Sequence, residues 1–473
     1  MDKEFVVTVT GLYRKFKDKD RSVVTFRHFL AGLALRYLYD ARRLPGAPVA
    51  EPDLPRELSS LFRHTPPAPA APVLDDLVAQ LAGHPALKNS FAEVSFTRWV
   101  GKEDAQRPVR LAGLVSELGG FSFGTDAAEI VRNGVAVGYL LEKFAEENFH
   151  KQGFLYTPKS LAALMVRLVN PAPGHTVYDP ACGLGNLLVQ AAREGAVPAG
   201  ALYGAEPDDN YRGLAHFNLF FSGLSGAQVS GKDSLAEARK SRRPAETYDC
   251  VLLHPPFGDL PLLPAQPEGL PFLFNGAAPA KNGKARHAAP EEDFLSLLLR
   301  SLAATGRAAV IVPHGVLFKM GSTYQVRKLL VDHNLIDAVV DLPPNIFYSC
   351  KTNVALLVLD KARPHRDVLF VDASAHFEPD RRRNRMRPYH VDALTAVHRN
   401  FAPVTGVAAR LPGCALQSAP HDYNLTPKRY VQPATAAGPD LYRLRQEMDD
   451  LHEKLGQVHA QLEDCLKALR QTT

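Results

Sequence analysis

Cysteine is scarce. Only Cys182, Cys250, Cys350, Cys414 and Cys465 occur in 473 residues, an odd and scattered set with no CxxC pair, so neither a disulfide framework nor a metal site of clustered thiolates is indicated. A reducing cytoplasm is the expected setting. Long apolar runs are also missing: nowhere do ~18 consecutive apolar residues appear, and the opening MDKEFVVTVTGLYRKFKDKD sets charge on both sides of a short apolar stretch. Neither export nor membrane anchoring is expected. No charge sign dominates. Lys plus Arg exceed Asp plus Glu by only 55 to 50, so the overall balance says nothing about nucleic acid and local clusters must be sought.

What is present is the composition of ordinary globular protein, 46% hydrophobic and 22% charged, with a length that at roughly 100 to 200 residues per domain suggests an enzyme with attachments. From about residue 22 to 118, apolar residues recur at mixed spacings of three and four, as in FRHFLAGLALRYLYDA and VLDDLVAQLAGHPAL. This pattern predicts helices, separated by the surface loops LPGAPVAEPDLP and HTPPAPAAPV. A further helix is expected over about Asp126 to Phe149, so residues 1–150 read as a helical N-terminal domain. After Thr157, short β-branched runs alternate with helical segments: TVYDP, ALYGAEP, YDCVLLHPP, RAAVIVP, LIDAVVDLP and NVALLVLD are the expected strands. This is the α/β alternation of a largely parallel, Rossmann-like sheet with helices on both faces, over residues 151–432.

Three further segments carry their own signals. Residues 258–290 are rich in Gly, Pro and Ala and end with Lys281, Lys284, Arg286 and His287; a long loop of this kind directly after a motif reads as a basic clamp or a disordered insertion. DRRRNRMRPYH concentrates arginines at Arg381, Arg382, Arg383, Arg385 and Arg387, fitting phosphate contacts and a solvated face equally. Over 438–473, Leu441, Leu444, Met448, Leu451, Leu455, Val458, Leu462, Cys465 and Leu469 alternate steps of three and four, the seam of a coiled coil of about four heptads. It could serve a homodimer, pack on this chain or grip another subunit.

The chemistry is expected beyond the carboxyl ends of the strands. TVYDP runs into ACGLGNLL, where Gly183 and Gly185 let a ligand approach the backbone and the next helix offers free amides. The pattern is not the dinucleotide GxGxxG, since Leu188 stands where the third glycine would be, and Asp179 would repel a pyrophosphate. An anion there suits a cationic nucleoside, S-adenosylmethionine rather than NAD. Glu206, ending the next strand, is placed to accept from ribose hydroxyls, and Asp233, after a third, from an adenine amine; either is equally a helix cap. YDCVLL ends in His254, Pro255, Pro256 and Phe257: two prolines stiffen the turn and Phe257 offers a flat face, a device for a planar base extruded from its stack. If His254 accepts a hydrogen bond from the base amine, activity should fall below about pH 6.5, because imidazolium cannot accept.

At this point the sequence resembles a family. GFLYTP (153–158), DPACGLGNLL (179–188), GAEPDD (204–209), KDSL (232–235), HPPFGD (254–259), EEDFLSLLLRSL (291–302), AAVIVPHGVLF (308–318), VRKLLVDHNLIDAVVDLPPNIF (326–347) and DYNLTPKRY (422–430) are similar, in order, to the methylation subunit of type I restriction-modification systems, amino-group DNA methyltransferases. The resemblance implies S-adenosylmethionine as cofactor, held by Tyr156, Thr157, Pro158, Asp179, Ala181, Gly183, Gly185, Asn186, Glu206, Asp233 and Ser234, with no metal. It implies double-stranded DNA as partner, a tail that engages a sequence-reading specificity subunit in that family and here could equally serve a homodimer, and His254–Phe257 in the catalytic position. The family tetrapeptide begins with Asn, and relatives acting on cytosine N4 often have Ser. With His254 here, adenine N6 keeps a slight edge over cytosine N4. The competing expectations are an inactive DNA- or cofactor-binding scaffold and a methyltransferase for RNA or a protein amide.

Overall fold

The computed structural model describes residues 3–432 except 21, 43, 45–53, 64–68, 85–86, 88–89, 92–93, 102–103, 149–155, 241–245, 257–289, 348–351 and 381–382. Phe257, Lys281, Lys284, Arg286, Arg381, Arg382 and the Leu441–Leu469 seam therefore lie outside the described residues. Among the described residues, no helix is long and apolar enough to cross a membrane.

Helices fill the first third: α1 (Lys3–Lys17), α2 (Val23–Ala41), α3 (Arg56–Arg63), α4 (Ala70–Ala82), α5 (Phe96–Val100), α6 (Arg107–Gly120) and α7 (Ala127–Asn148). The first of these was hidden by its β-branched VVTVT, yet Phe5, Val9, Leu12 and Phe16 step by four, three and four and are all buried. Burial of that stripe overrides the weak helix preference of valine and threonine. The helix α2 is buried nearly all round.

The remainder alternates: α8 (Lys159–Val169), β1 (Val177–Asp179), α9 (Asn186–Gly195), β2 (Leu202–Ala205), α10 (Asp209–Phe221), β3 (Gln228–Ser230), α11 (Ser234–Lys240), β4 (Tyr248–Leu253), α12 (Pro290–Ser301), β5 (Leu302–Pro313), α13 (Gly315–Phe318), α14 (Ser322–Asp332), β6 (Ile336–Asp341), β7 (Val354–Asp360), β8 (Asp367–Asp372), α15 (Pro388–Asn400), β9 (Ala408–Pro412) and α16 (Gly413–Leu416). The strands form one sheet in the order β3-β2-β1-β4-β5-β7-β6-β8-β9. Pairs from β3 to β5 are parallel, while β7 runs antiparallel between β5 and β6. Continuous apolar runs such as VALLVLD are buried on both faces, as a sheet covered by helices requires. The chain winds outward in opposite directions from β1 and β4, which makes the crevice beyond their carboxyl ends the topological switch point.

The expected division at residue 150 is crossed by an apolar core. Leu214, Phe217, Phe220 and Phe221 of α10 share one cluster with α1, α2, α4, α6 and α7, so the N-terminal helices are sealed by a helix of the sheet layer. A polar tie reinforces the junction and corrects one expectation. Arg383, assigned to phosphate contact, is only 3% exposed; it donates to Glu142 Oε1 of α7 at 3.1 Å, and Lys159 Nζ stands 3.7 Å from Glu142 Oε2. Sequence displays the arginine cluster but not the glutamate facing it 241 residues away. Losing Arg383 leaves buried Glu142 with Lys159 as a cationic neighbour, and breaking a buried ion pair of this kind costs up to about 3 kcal/mol. Arg383→Met should therefore lower the urea midpoint clearly. Arg387→Ala, whose side chain is 47% exposed, should change stability by under about 0.5 kcal/mol; equal effects would refute the strut role.

Candidate active site

The first half of the site is the turn after β1. Gly183 and Gly185 have φ of +51° and +74°, left-handed conformations that side-chain-bearing residues rarely adopt. They fold the chain back so that α9 begins at Asn186, its amino end facing the crevice. Asp179 is 1% exposed, its Oδ1 accepting the Ala181 N–H at 3.1 Å. Glu206 Oε2 accepts the Gly183 N–H at 3.1 Å and its Oε1 the Asp208 N–H at 3.0 Å, fixing that carboxylate at the rim of the same loop. Burial pushes the Asp179 carboxyl up to about 8, and the neighbouring Glu206 adds to the shift. Burial also raises Glu206. Two buried acids sharing a loop, with Asp179 lacking a cationic partner among the described residues, fit a ligand that brings positive charge and hydroxyl donors.

The second half is one strand away. Tyr178 of β1 is level with Val251 of β4, so His254 arrives beside the glycine turn. The imidazole is 4% exposed, and its Nδ1 lies 2.9 Å from Thr157 Oγ1. Thr157 also accepts the Asn186 side-chain amide through its carbonyl oxygen. Tyr156, Thr157 and Pro158 are buried, and Thr157 links His254 to the start of α9 after the glycine turn. Phe347, from the connection after β6, stacks on His254 with ring centroids 4.9 Å apart and planes 22° off parallel. Sequence reasoning placed an aromatic face at Phe257, which lies outside the described residues, and missed Phe347. The signal was available in LPPNIF, where two prolines stiffen the turn that returns the antiparallel β7.

The buried imidazole corrects the expected acid limb. Desolvation pushes His254 down to about 3, so it is neutral throughout the range in which the sequence predicted its protonation. The other expected groups are partly drawn in. Ser234 donates to the Pro180 carbonyl at 2.7 Å and sits 3.2 Å from Tyr178 OH, bracing the turn that carries Ala181. Asp233 is exposed and its Oδ1 caps α11 through the Leu235 and Ala236 N–H groups, the alternative that sequence had left open. Further along the same edge, His314 Nε2 and Asp341 Oδ1 are 2.5 Å apart and Lys428 Nζ is 3.7 Å from Asp341 Oδ2. That polar cluster was not foreseen, since its members come from three separate stretches.

Comparison with known proteins agrees with this architecture. A model of the N-6 DNA methylase family matches residues 133–438. The MjaVIII methylase subunit of a type I restriction enzyme from Methanocaldococcus jannaschii is 28% identical over 70% of this chain and 59% of its own length. The MjaVII methylase subunit from the same organism is 27% identical over 71% and 60%. The chain thus spans about 60% of the length of these curated relatives. A type I restriction-modification methyltransferase subunit from Streptococcus thermophilus superimposes with a TM-score of 0.73 at 20% identity, covering 92% of this chain and 100% of that one, a likeness of fold. With the match spanning the glycine turn, the His254 tetrapeptide and the whole sheet, the chain belongs to the N-6 DNA methylase family.

Proposed function

We propose that this chain transfers a methyl group from S-adenosylmethionine to the exocyclic amine of a base extruded from double-stranded DNA, with adenine N6 favoured over cytosine N4. The observation that carries this reading is the joining of a cation-seeking acid turn to a buried, neutral His254 through the single residue Thr157. The family match and relatives named as methylase subunits support it. When bound, S-adenosylmethionine supplies an electrophilic methyl; Asp179 and Glu206 would hold its charged and hydroxyl groups. No covalent nucleophile is needed, because an amine can attack in line once it is aligned and dry.

For His254 to accept from that amine, the working tautomer is the one in which Nδ1–H donates to Thr157 Oγ1, leaving the Nε2 lone pair as acceptor. The Pro255 carbonyl is the second acceptor in this reading. Mapping methylation at single-base resolution in DNA from cells with and without the chain tests the whole: one methylated motif, marked on an amine, is expected. Bound cofactor with no mark on DNA would favour the inactive scaffold. Association with a specificity subunit, or with a second copy through residues 438–473, belongs to the same proposal, supported by the type I names of the relatives and tested by identifying what copurifies with the chain.

A further inference from the structure

The structure also exposes an apolar pair where a soluble enzyme would ordinarily show polar groups. Phe318 is 48% and Met320 70% exposed, with exposed Lys319 between them. They follow β5, the neighbour of β4. Leu253 is level with Val310, so His254 is level with Ile311 and β5 runs on to Pro313 two residues higher, about 7 Å at the usual rise per residue. The pair therefore follows the carboxyl end of β5, the same end of the sheet at which β4 delivers His254 and to which the proposed function brings the extruded base.

The backbone beneath this pair is held firmly. Arg327 is 1% exposed and its Nη1 donates to the carbonyls of Val316 and Lys319 at 2.8 Å each, while the Leu425 N–H donates to the Leu317 carbonyl at 2.9 Å. Burying a guanidinium is costly unless its hydrogen bonds are made; here it fixes a four-residue helix whose tip is apolar and solvated. Extruding a nucleotide leaves a gap in the stack, and proteins that kink or open duplexes commonly fill such gaps with Phe, Leu, Ile or Met. Exposed Lys319, between the two, supplies positive charge for a flanking phosphate.

We propose that Phe318 and Met320 enter the base stack of bound DNA as an apolar wedge that holds open the gap left by the extruded target. This deepens, and rests on, the DNA methyltransferase function proposed above. The test uses the chain with whatever partners copurify from its own cells, on duplexes carrying the mapped motif. One duplex is intact and one has an abasic site opposite the target base, which removes the pairing that extrusion must break. The double variant Phe318→Ala/Met320→Ala should methylate the intact duplex at least about ten-fold more slowly, the scale of unstacking a base step. It should regain most of that loss on the abasic duplex, and Phe318→Leu/Met320→Leu should stay near wild type on both. Unchanged cofactor binding establishes that the variants are folded. Full activity of the alanine variant on the intact duplex, or equal losses on both duplexes, overturns the wedge while leaving the function standing. Absence of methylation by the wild type on either duplex instead overturns the function.

Discussion

Methyl transfer by His254→Ala should fall about 100- to 1,000-fold, the usual consequence of removing one preorganised hydrogen-bond group from a water-excluded site. His254→Asn, which restores an amide acceptor of similar reach, should keep much more activity. The protonation state of His254 sets the pH profile. An imidazole buried to 4% exposure, pushed down to about 3 by desolvation, keeps its lone pair at all ordinary pH values. The turnover number at saturating cofactor and DNA should therefore be flat, within about two-fold, between about pH 8 and pH 5. An acid limb with a midpoint near 6.5 would mean that His254 is solvated during the reaction, contrary to its packing against Phe347 and Thr157. Thr157→Val gives a separate readout. Losing the hydroxyl that would fix the Nδ1–H tautomer in the proposed mechanism should reduce the turnover number more than it changes the Michaelis constant for DNA, as expected for a positioning residue.

The sheet was legible because its chemistry is local. Runs such as YDCVLL and LIDAVVDLP are too short and too β-branched for helices, and each was followed by a turn motif; they became β4 and β6. The turn after β1 was legible for the same reason, since the Gly183 and Gly185 conformations and the contact of Asp179 with the Ala181 N–H lie within seven residues. What escaped sequence reading is long-range. Phe347 reaches His254 only because β7 inserts antiparallel between β5 and β6 and brings the preceding loop back over β4's end. The clip through Thr157 joins residues 97 apart. The strand β8 (DVLFVD) was overlooked because nothing nearby marks it as functional, yet it pairs in parallel with β6 and carries the edge strand β9. Arg383 shows the converse error, in which a local charge run suggested a surface that tertiary packing removed.

The second large effect concerns Asp179, whose raised pKa would make uptake of the proposed cofactor a proton-linked event. Folded and without a cation, the carboxyl is held up to about 8 by burial and by Glu206; below that pH it is mostly protonated. A cationic ligand interacts with the charged form, so binding must release the proton. The sign follows: affinity for S-adenosylmethionine should rise about ten-fold per pH unit from about pH 6 to pH 8 and level off above, because one pKa unit is about 1.4 kcal/mol of differential interaction. Calorimetry in two buffers of different ionisation enthalpy should report nearly one proton released at pH 6.5. Asp179→Asn, isosteric but unable to ionise, should bind about 100-fold more weakly at pH 8, given the few kcal/mol of attraction at contact distance near a protein surface. Its affinity should no longer vary over this range, and its proton release should vanish. A wild-type affinity independent of pH, or an Asp179→Asn variant that binds as tightly as the parent, would show that the cation sits elsewhere. The turn after β1 would then be a structural corner, and the function proposed for the crevice would lose its donor site.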